Sequence, residues 1–276
     1  MSTPTTTPID IAFIGGGNMA TAIIGGLLRQ GRNPASILVI DPMAEQRTRL
    51  TQTLGVQTAE GPSPALTQAA TVVWAVKPQQ FKDAAHTYAK LIGHALHYSV
   101  MAGLRTDDMA NLLGTPRIVR AMPNTPALVG QGMTGLFARG EVSAAEREAI
   151  QRMVEPTGQA MWVQQEADLD AVTALSGSGP AYVFYFIEAM MQAAQDMGLS
   201  AEQGRQLALA TFGGATTLAA QSADAPSVLR ERVTSKGGTT YAALSSMEDA
   251  GVKAAFIAAM RAAQKRAGEL GDEFGR

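Results

Sequence analysis

Ile9 to Gly31 reads IDIAFIGGGNMATAIIGGLLRQG: a short apolar run, three consecutive glycines, then apolar residues at helical spacing. No other stretch restricts the fold of this chain as much. A buried strand that turns on glycine directly into a helix is the opening unit of a parallel α/β sheet. The spacing is G-x-G-x-x-A, with Gly15, Gly17 and Ala20 in the three small positions. Gly15 permits a tight turn, Gly17 lets a pyrophosphate approach the backbone, and Ala20 lets the helix pack closely on the strand. The amides that open the helix, at Asn18 and Met19, then face the anion. An ordinary glycine turn is the competing reading. The strand before the motif and the helix after it favour dinucleotide binding.

The pattern continues. IDIAFIG, SILVID, TVVWAVKP, LHYSVMAG, RIVRAMP and TGLFA read as buried strands. Helical segments such as residues 19–29, 45–54 and 81–92 lie between them, so the spacing predicts a doubly wound α/β sheet of Rossmann type over residues 9–165. Beyond Leu169 no strand pattern recurs. Helical spacing runs through residues 182–197, 203–220, 239–248 and 252–270, which predicts an all-α domain over residues 166–276. Its first helix, PAYVFYFIEAMMQAAQDMG, is apolar around most of its circumference and must be covered on every side. So short a helical region does not cover it alone, which predicts an intimate homodimer through this half. The opening MSTPTTTP predicts a disordered tail over residues 1–8.

Composition removes several function classes. A net charge of −2 gives no electrostatic case for nucleic acid or an anionic membrane as partner. The absence of cysteine excludes disulfides and thiolate metal sites, and no His and carboxylate cluster predicts a metal. The most apolar segment is too short to span a bilayer and contains Glu188. With no signal-peptide pattern at the start, the expectation is a cytoplasmic protein.

Several loops at strand ends are candidate cofactor contacts. Asp41 closes the second strand, where a carboxylate accepts hydrogen bonds from an adenosine ribose and points to NADH. It would repel the 2′-phosphate of NADPH unless a base such as Arg47 compensates; a simple turn-starting role is the alternative. The strand expected to end at Val76 delivers Ala75, Val76, Lys77 and Pro78 to the same edge, and Ala102 follows the next strand. In AMPNTPA two prolines stiffen a loop that could hold the nicotinamide end, with Asn124 offering an amide; a stiff connector is the alternative.

The chemistry is constrained by what is missing. His86, His94 and His97 lie around one expected helix and strand start, far in sequence from the helical half. No lysine occurs between Lys90 and Lys236. An alcohol dehydrogenase of this layout needs a base, and SGSGPAYVFYF offers neither lysine nor histidine. A protonated imine needs no such base, because its carbon is already electrophilic and positioning does most of the work.

These residues complete a resemblance. VLRERVTSKGGTTYAALSSME, preceded by Pro226, resembles the signature of the pyrroline-5-carboxylate reductases. FIGGGNMA, AVKPQ, RIVRAMPNTPA and DAVTALSGSGPAYVF resemble the family's other landmarks, in order across the chain. The resemblance implies NADPH- or NADH-dependent reduction of 1-pyrroline-5-carboxylate to L-proline. It also implies a Rossmann domain followed by a helical dimerisation domain. Carried over by motif, Ser235, Gly238, Thr239 and Thr240 hold the substrate carboxylate, in agreement with the anion nest that glycines and hydroxyls at a helix start form. Thr173 is implied to be a hydrogen-bond or proton donor to the ring nitrogen, so Thr173 and Thr240 are the catalytic candidates. Glu166 matches an acidic position near the substrate; a favourable charge near a helix start is its other reading.

Two departures stand out. Asp41 stands where many members have a small polar residue, and Ser63 where several members place an asparagine facing the adenosine. A related cyclic imine acid as substrate, or a non-enzymatic dinucleotide-binding regulator, are the alternatives. Dimers and larger rings of dimers are both compatible with the resemblance.

Overall fold

The computed structural model describes residues 7–274; most of the tail expected over residues 1–8 therefore lies outside the described residues. Contacts divide the chain into two compact units, Met1–Ser178 with Ala263–Arg276, and Gly179–Ala262.

The first unit is built on an eight-stranded sheet: β1 (Ile11–Ile14), β2 (Ile37–Ile40), β3 (Gln57–Ala59), β4 (Thr71–Trp74), β5 (Leu96–Ser99), β6 (Ile118–Met122), β7 (Gly132–Ala138) and β8 (Gly158–Trp162). Their order is β3-β2-β1-β4-β5-β6-β7-β8. Pairing is parallel except between β6 and β7. The link between those two strands, residues 123–131, is too short for the crossover that a parallel neighbour requires.

Helices α1 (Asn18–Arg29), α2 (Ala44–Leu54), α3 (Phe81–Ile92), α4 (Thr106–Leu113) and α5 (Ala144–Val154) connect the strands. Ser143 and Glu146 form a reciprocal capping box that starts α5, and α2 and α4 stop at Gly55 and Gly114 in the left-handed conformation. Both faces of β1 are buried. Ile11 and Phe13 join Ile23, Ile24 and Leu27 of α1, while Ala12 and Ile14 join Trp74, Phe81 and Ile92. Two apolar faces explain why the inner strands read as continuous hydrophobic runs.

The strands differ from expectation in two respects. The one expected to stop at Val76 is β4, which stops at Trp74. Strands β3 and β8 go unseen in the sequence, because they carry partly exposed residues and so lack the buried-strand pattern.

His97, on β5, is completely buried. Its Nδ1 accepts a hydrogen bond from Trp74 Nε1–H at 3.0 Å, and Nε2 has no partner among the described residues. Burial, reinforced by the charges of Arg117 and His94, lowers its pKa to about 4. The folded imidazole therefore stays neutral where the unfolded one binds a proton. Its contribution to stability is whole above about pH 6.5 and is lost as pH falls toward 4, by roughly 3 kcal/mol in all. Denaturant titrations between about pH 7 and about pH 4.5 check this, and His97→Gln should flatten the decline by about one proton's slope. An unchanged slope would assign acid lability to other groups.

After α6 (Asp168–Val172) the chain makes a π-helical turn over Thr173–Gly177. The second unit follows with α7 (Gly179–Asp196), α8 (Ala201–Gln221), α9 (Pro226–Arg232), α10 (Thr239–Asp249) and the beginning of α11 (Val252–Phe274). Gly198, with φ +87°, and a capping box of Ser200 and Gln203 fold α7 back on α8. A Cβ on Gly204 would lie 2.9 Å from that of Ala194, so the two helices meet closely. Tyr182 and Phe186 pack edge-on to Phe256. Along α7 only Ala194 is buried, whereas Phe184 and Tyr185 are 58% and 69% exposed. The single chain thus leaves open the face that its sequence requires to be covered. Among the described residues no helix is long and apolar enough to cross a membrane.

Candidate functional site

Strands β1 and β4 are neighbours in the sheet although β2 and β3 intervene in sequence. Successive strands are laid down on opposite sides of this point, which opens a crevice at the carboxyl ends of the pair. Gly15 sits there with φ +97°, its N–H donating to the Ile40 carbonyl at 2.8 Å. A Cβ on it would fall 2.6 Å from the Ala75 carbonyl oxygen. Glycine is required here for both conformation and space. Gly17 differs: a Cβ there would meet nothing within 4 Å, and no side chain caps the helix it opens. The first amides of α1, at Asn18 and Met19, thus face open space beside an exposed glycine, a cradle that fits a pyrophosphate. Met19 is half-buried and packs against the core, which fixes the helix start. Gly15→Ala is expected to weaken dinucleotide binding by at least roughly 10-fold. Titration of bound NAD(P)H fluorescence checks it, and unchanged affinity would remove the turn from the site.

Asp41 follows β2 and is buried. Its Oδ2 accepts the Gly16 N–H at 2.9 Å and its Oδ1 the Met43 N–H at 2.9 Å. The carboxylate therefore starts a turn and also pins the middle glycine of the cradle. Arg47, considered as a partner for a 2′-phosphate, is already engaged. Its Nη1 donates to the carbonyls of Asp41 and Pro42 at 2.8 and 2.9 Å, and Nη2 pairs with Glu60 at 3.3 Å. Ser63 caps the short turn Pro64–Gln68, its Oγ accepting the Ala65 N–H at 3.3 Å. Ala75 and Val76 are half-buried, Lys77 is exposed, and Pro78 opens the turn Pro78–Gln80. Ala102 is exposed in the bend after β5.

Asn124 follows β6 and uses both ends of its amide. Oδ1 accepts the Met133 N–H at 2.9 Å, and Nδ2 donates to the Ser176 carbonyl and hydroxyl oxygens, each at 3.2 Å. Thr173, at the start of the π turn, donates its hydroxyl proton to the Leu169 carbonyl at 2.7 Å. In this structure the Thr173 hydroxyl therefore spends its proton on Leu169 and keeps its lone pairs open. Glu166 is also engaged: its carboxylate accepts the Thr106 N–H at 2.8 Å, the Thr106 hydroxyl at 2.6 Å and Arg120 Nη1–H at 2.9 Å. Arg120, buried on β6, is not among the residues singled out from sequence. Its place inside the apolar run RIVRAMP is the available signal, since a buried guanidinium needs a carboxylate partner. Burial raises the pKa of Asp170 on α6, against the opposing charges of Arg120 and Arg105.

In the second unit, Gly237 with φ +74° and Gly238 bring the chain into α10. The Gly238 N–H donates to the Ser235 carbonyl at 3.0 Å, and a Cβ on Gly238 would lie 2.6 Å from Ser235 Oγ. No side chain caps α10. Ser235 and Thr239 are exposed and Thr240 is half-buried. The helix start thus presents uncapped amides with three hydroxyls beside them, an arrangement that suits a small carboxylate. In the first unit the structure joins Asp41 to the glycine turn, two features picked out separately from sequence; in the second it holds Ser235 beside Gly238 within one motif.

Comparison with known proteins gives consistent matches. A family model for pyrroline-5-carboxylate reductase dimerisation matches residues 166–270, and one described as NADP oxidoreductase coenzyme F420-dependent matches residues 10–103. The pyrroline-5-carboxylate reductase of Pseudomonas aeruginosa is 43% identical, covering 100% of both chains. The structure of a pyrroline-5-carboxylate reductase from Coxiella burnetii superposes with a TM-score of 0.89 at 36% identity, over 96% of this chain and 99% of that one. That of Plasmodium falciparum pyrroline carboxylate reductase with NADP bound gives 0.86 at 26% identity, over 95% and 98%.

Proposed function

The chain belongs to the pyrroline-5-carboxylate reductase family, and from that membership we propose that it reduces 1-pyrroline-5-carboxylate to L-proline with NADPH or NADH. The observation that carries this reading is the glycine-led, uncapped start of α10, with Ser235, Thr239 and Thr240 around it. A small acid needs such a grip, and a protein that only senses dinucleotides does not.

When bound, the dihydronicotinamide supplies the hydride. Gly15, Gly17, Asn18 and Met19 hold the pyrophosphate, and Asp41, Ser63, Ala75, Val76, Lys77, Pro78 and Ala102 form the surrounding surface. Ser235, Gly238, Thr239 and Thr240 hold the substrate carboxylate. By motif, Thr173 is the group proposed to meet the imine nitrogen; its own hydroxyl proton is held by the Leu169 carbonyl, which leaves it lone pairs to accept with. The substrate would accept that hydride at its imine carbon, the C=N π pair becoming a lone pair on nitrogen and the proton already there staying on the amine. No side chain has to deliver a proton during the step, which accords with a helical half that offers no histidine and no lysine before Lys236.

In this reading residues 9–165 serve the dinucleotide, and residues 166–276 serve the substrate and a homodimer. The open apolar face of α7 supports that assembly. A cytoplasmic location goes with a biosynthetic role. The test is direct: purified protein, pyrroline-5-carboxylate and either NADPH or NADH, followed at the nicotinamide absorbance with proline quantified. Proline formed at the rate of cofactor oxidation is the expected result; none with either cofactor would falsify the proposal.

A further inference from the structure

We infer that Asn124 is a positioning residue: its side-chain amide fixes the π-helical turn Thr173–Gly177 and thereby places the Thr173 hydroxyl. This rests on the role proposed for Thr173. The sequence points Asn124 toward the nicotinamide, but three hydrogen bonds already occupy its amide.

The reason for the arrangement lies at Pro180. In a regular helix the Ser176 carbonyl would accept the N–H four residues on, and proline has none. A carbonyl deprived of that partner at a helix joint needs another donor. Asn124 Nδ2 provides it at 3.2 Å, and reaches the Ser176 hydroxyl at the same distance. Its Oδ1 is tied to the Met133 N–H on β7, so the amide cannot rotate without breaking both ends. The turn beside it is wide: the Ser178 N–H donates to the Thr173 carbonyl, five residues back, at 2.8 Å. Glycine lets it seat. A Cβ on Gly177 would displace the flexible end of Met122, and one on Gly135 of β7 would lie 2.8 Å from Val172 Cγ1. Thr173 is thus held by its carbonyl to Ser178, by its hydroxyl to Leu169, and through Ser176 to Asn124. PNTP and SGSGP are two halves of one device.

Asn124→Asp keeps the acceptor for Met133 and removes the donor to Ser176. The expected result is a fall in kcat of at least about 10-fold, with dissociation constants for NADPH and NADH within about twofold of wild type. Hydrogen exchange at the Ser178 amide should quicken in the same variant. That readout does not depend on catalysis, so it tests the device even if the wild-type protein fails to reduce pyrroline-5-carboxylate. A second pair guards against a folding defect. Pro180→Ala restores a backbone donor for Ser176, so Asn124→Ala with Pro180→Ala should recover protection at Ser178 and part of the kcat lost in Asn124→Ala alone. An unchanged kcat with unchanged exchange in Asn124→Asp overturns the inference. So does cofactor affinity that falls in step with kcat, which would make Asn124 a cofactor contact.

Discussion

Thr240→Ala is expected to lower kcat/KM for pyrroline-5-carboxylate by about 100-fold while leaving the dissociation constants of NADPH and NADH within about twofold. Thr240 occupies the first turn of α10, half-buried, at a helix start that no side chain caps. A hydroxyl added to such a row of amides contributes a further donor to a carboxylate, and donors to charged groups count for more than neutral pairs. The cradle proposed for the cofactor is made by other residues, Gly15 to Met19 and their neighbours, so its affinity should not follow. Stopped-flow or steady-state kinetics with separate cofactor titration measures the two effects. Turnover that survives intact would take the start of α10 out of the site.

Asp41→Ser is expected to raise the ratio of kcat/KM with NADPH to that with NADH by at least about 10-fold. If Asp41 faces the adenosine ribose as proposed, its buried carboxylate would oppose the doubly charged 2′-phosphate, and Arg47 would not compensate freely because two carbonyls and Glu60 already hold it. The same substitution takes acceptors from the amides of Gly16 and Met43, which should lower stability by about 1–3 kcal/mol. Asp41→Asn separates the two effects: it removes the charge while keeping one oxygen as acceptor. If neither variant moves the cofactor ratio, Asp41 serves only to hold the glycine loop.

Much of this is legible without coordinates. The glycine spacing identifies the tight turn after β1 because Gly15 answers a purely local demand, a positive φ with no room for Cβ. The strand pattern of β1, β2 and β4 is legible because both faces of the sheet are covered. The edges are not, since β3 and β8 are partly exposed and carry no unbroken apolar run. Thr173 is picked out by motif; that Leu169 takes its hydroxyl proton is not, as nothing in its neighbours reveals it. Glu166 is noticeable as an acid; that Thr106 and Arg120 claim its oxygens is hidden by their distance along the chain.

The sequence by itself determined the alternation of strand and helix, the glycine turns and the need to cover α7, because each follows from periodicity or from one residue's conformational limits. Only the tertiary structure decided which polar atoms meet: Asp41 with Gly16, Asn124 with Ser176, Glu166 with Arg120. Those pairs join segments far apart in sequence, and the sheet order brings them within reach. Between segments so far apart, hydrogen bonds need partners within about 3 Å, a condition that their spacing along the chain does not encode.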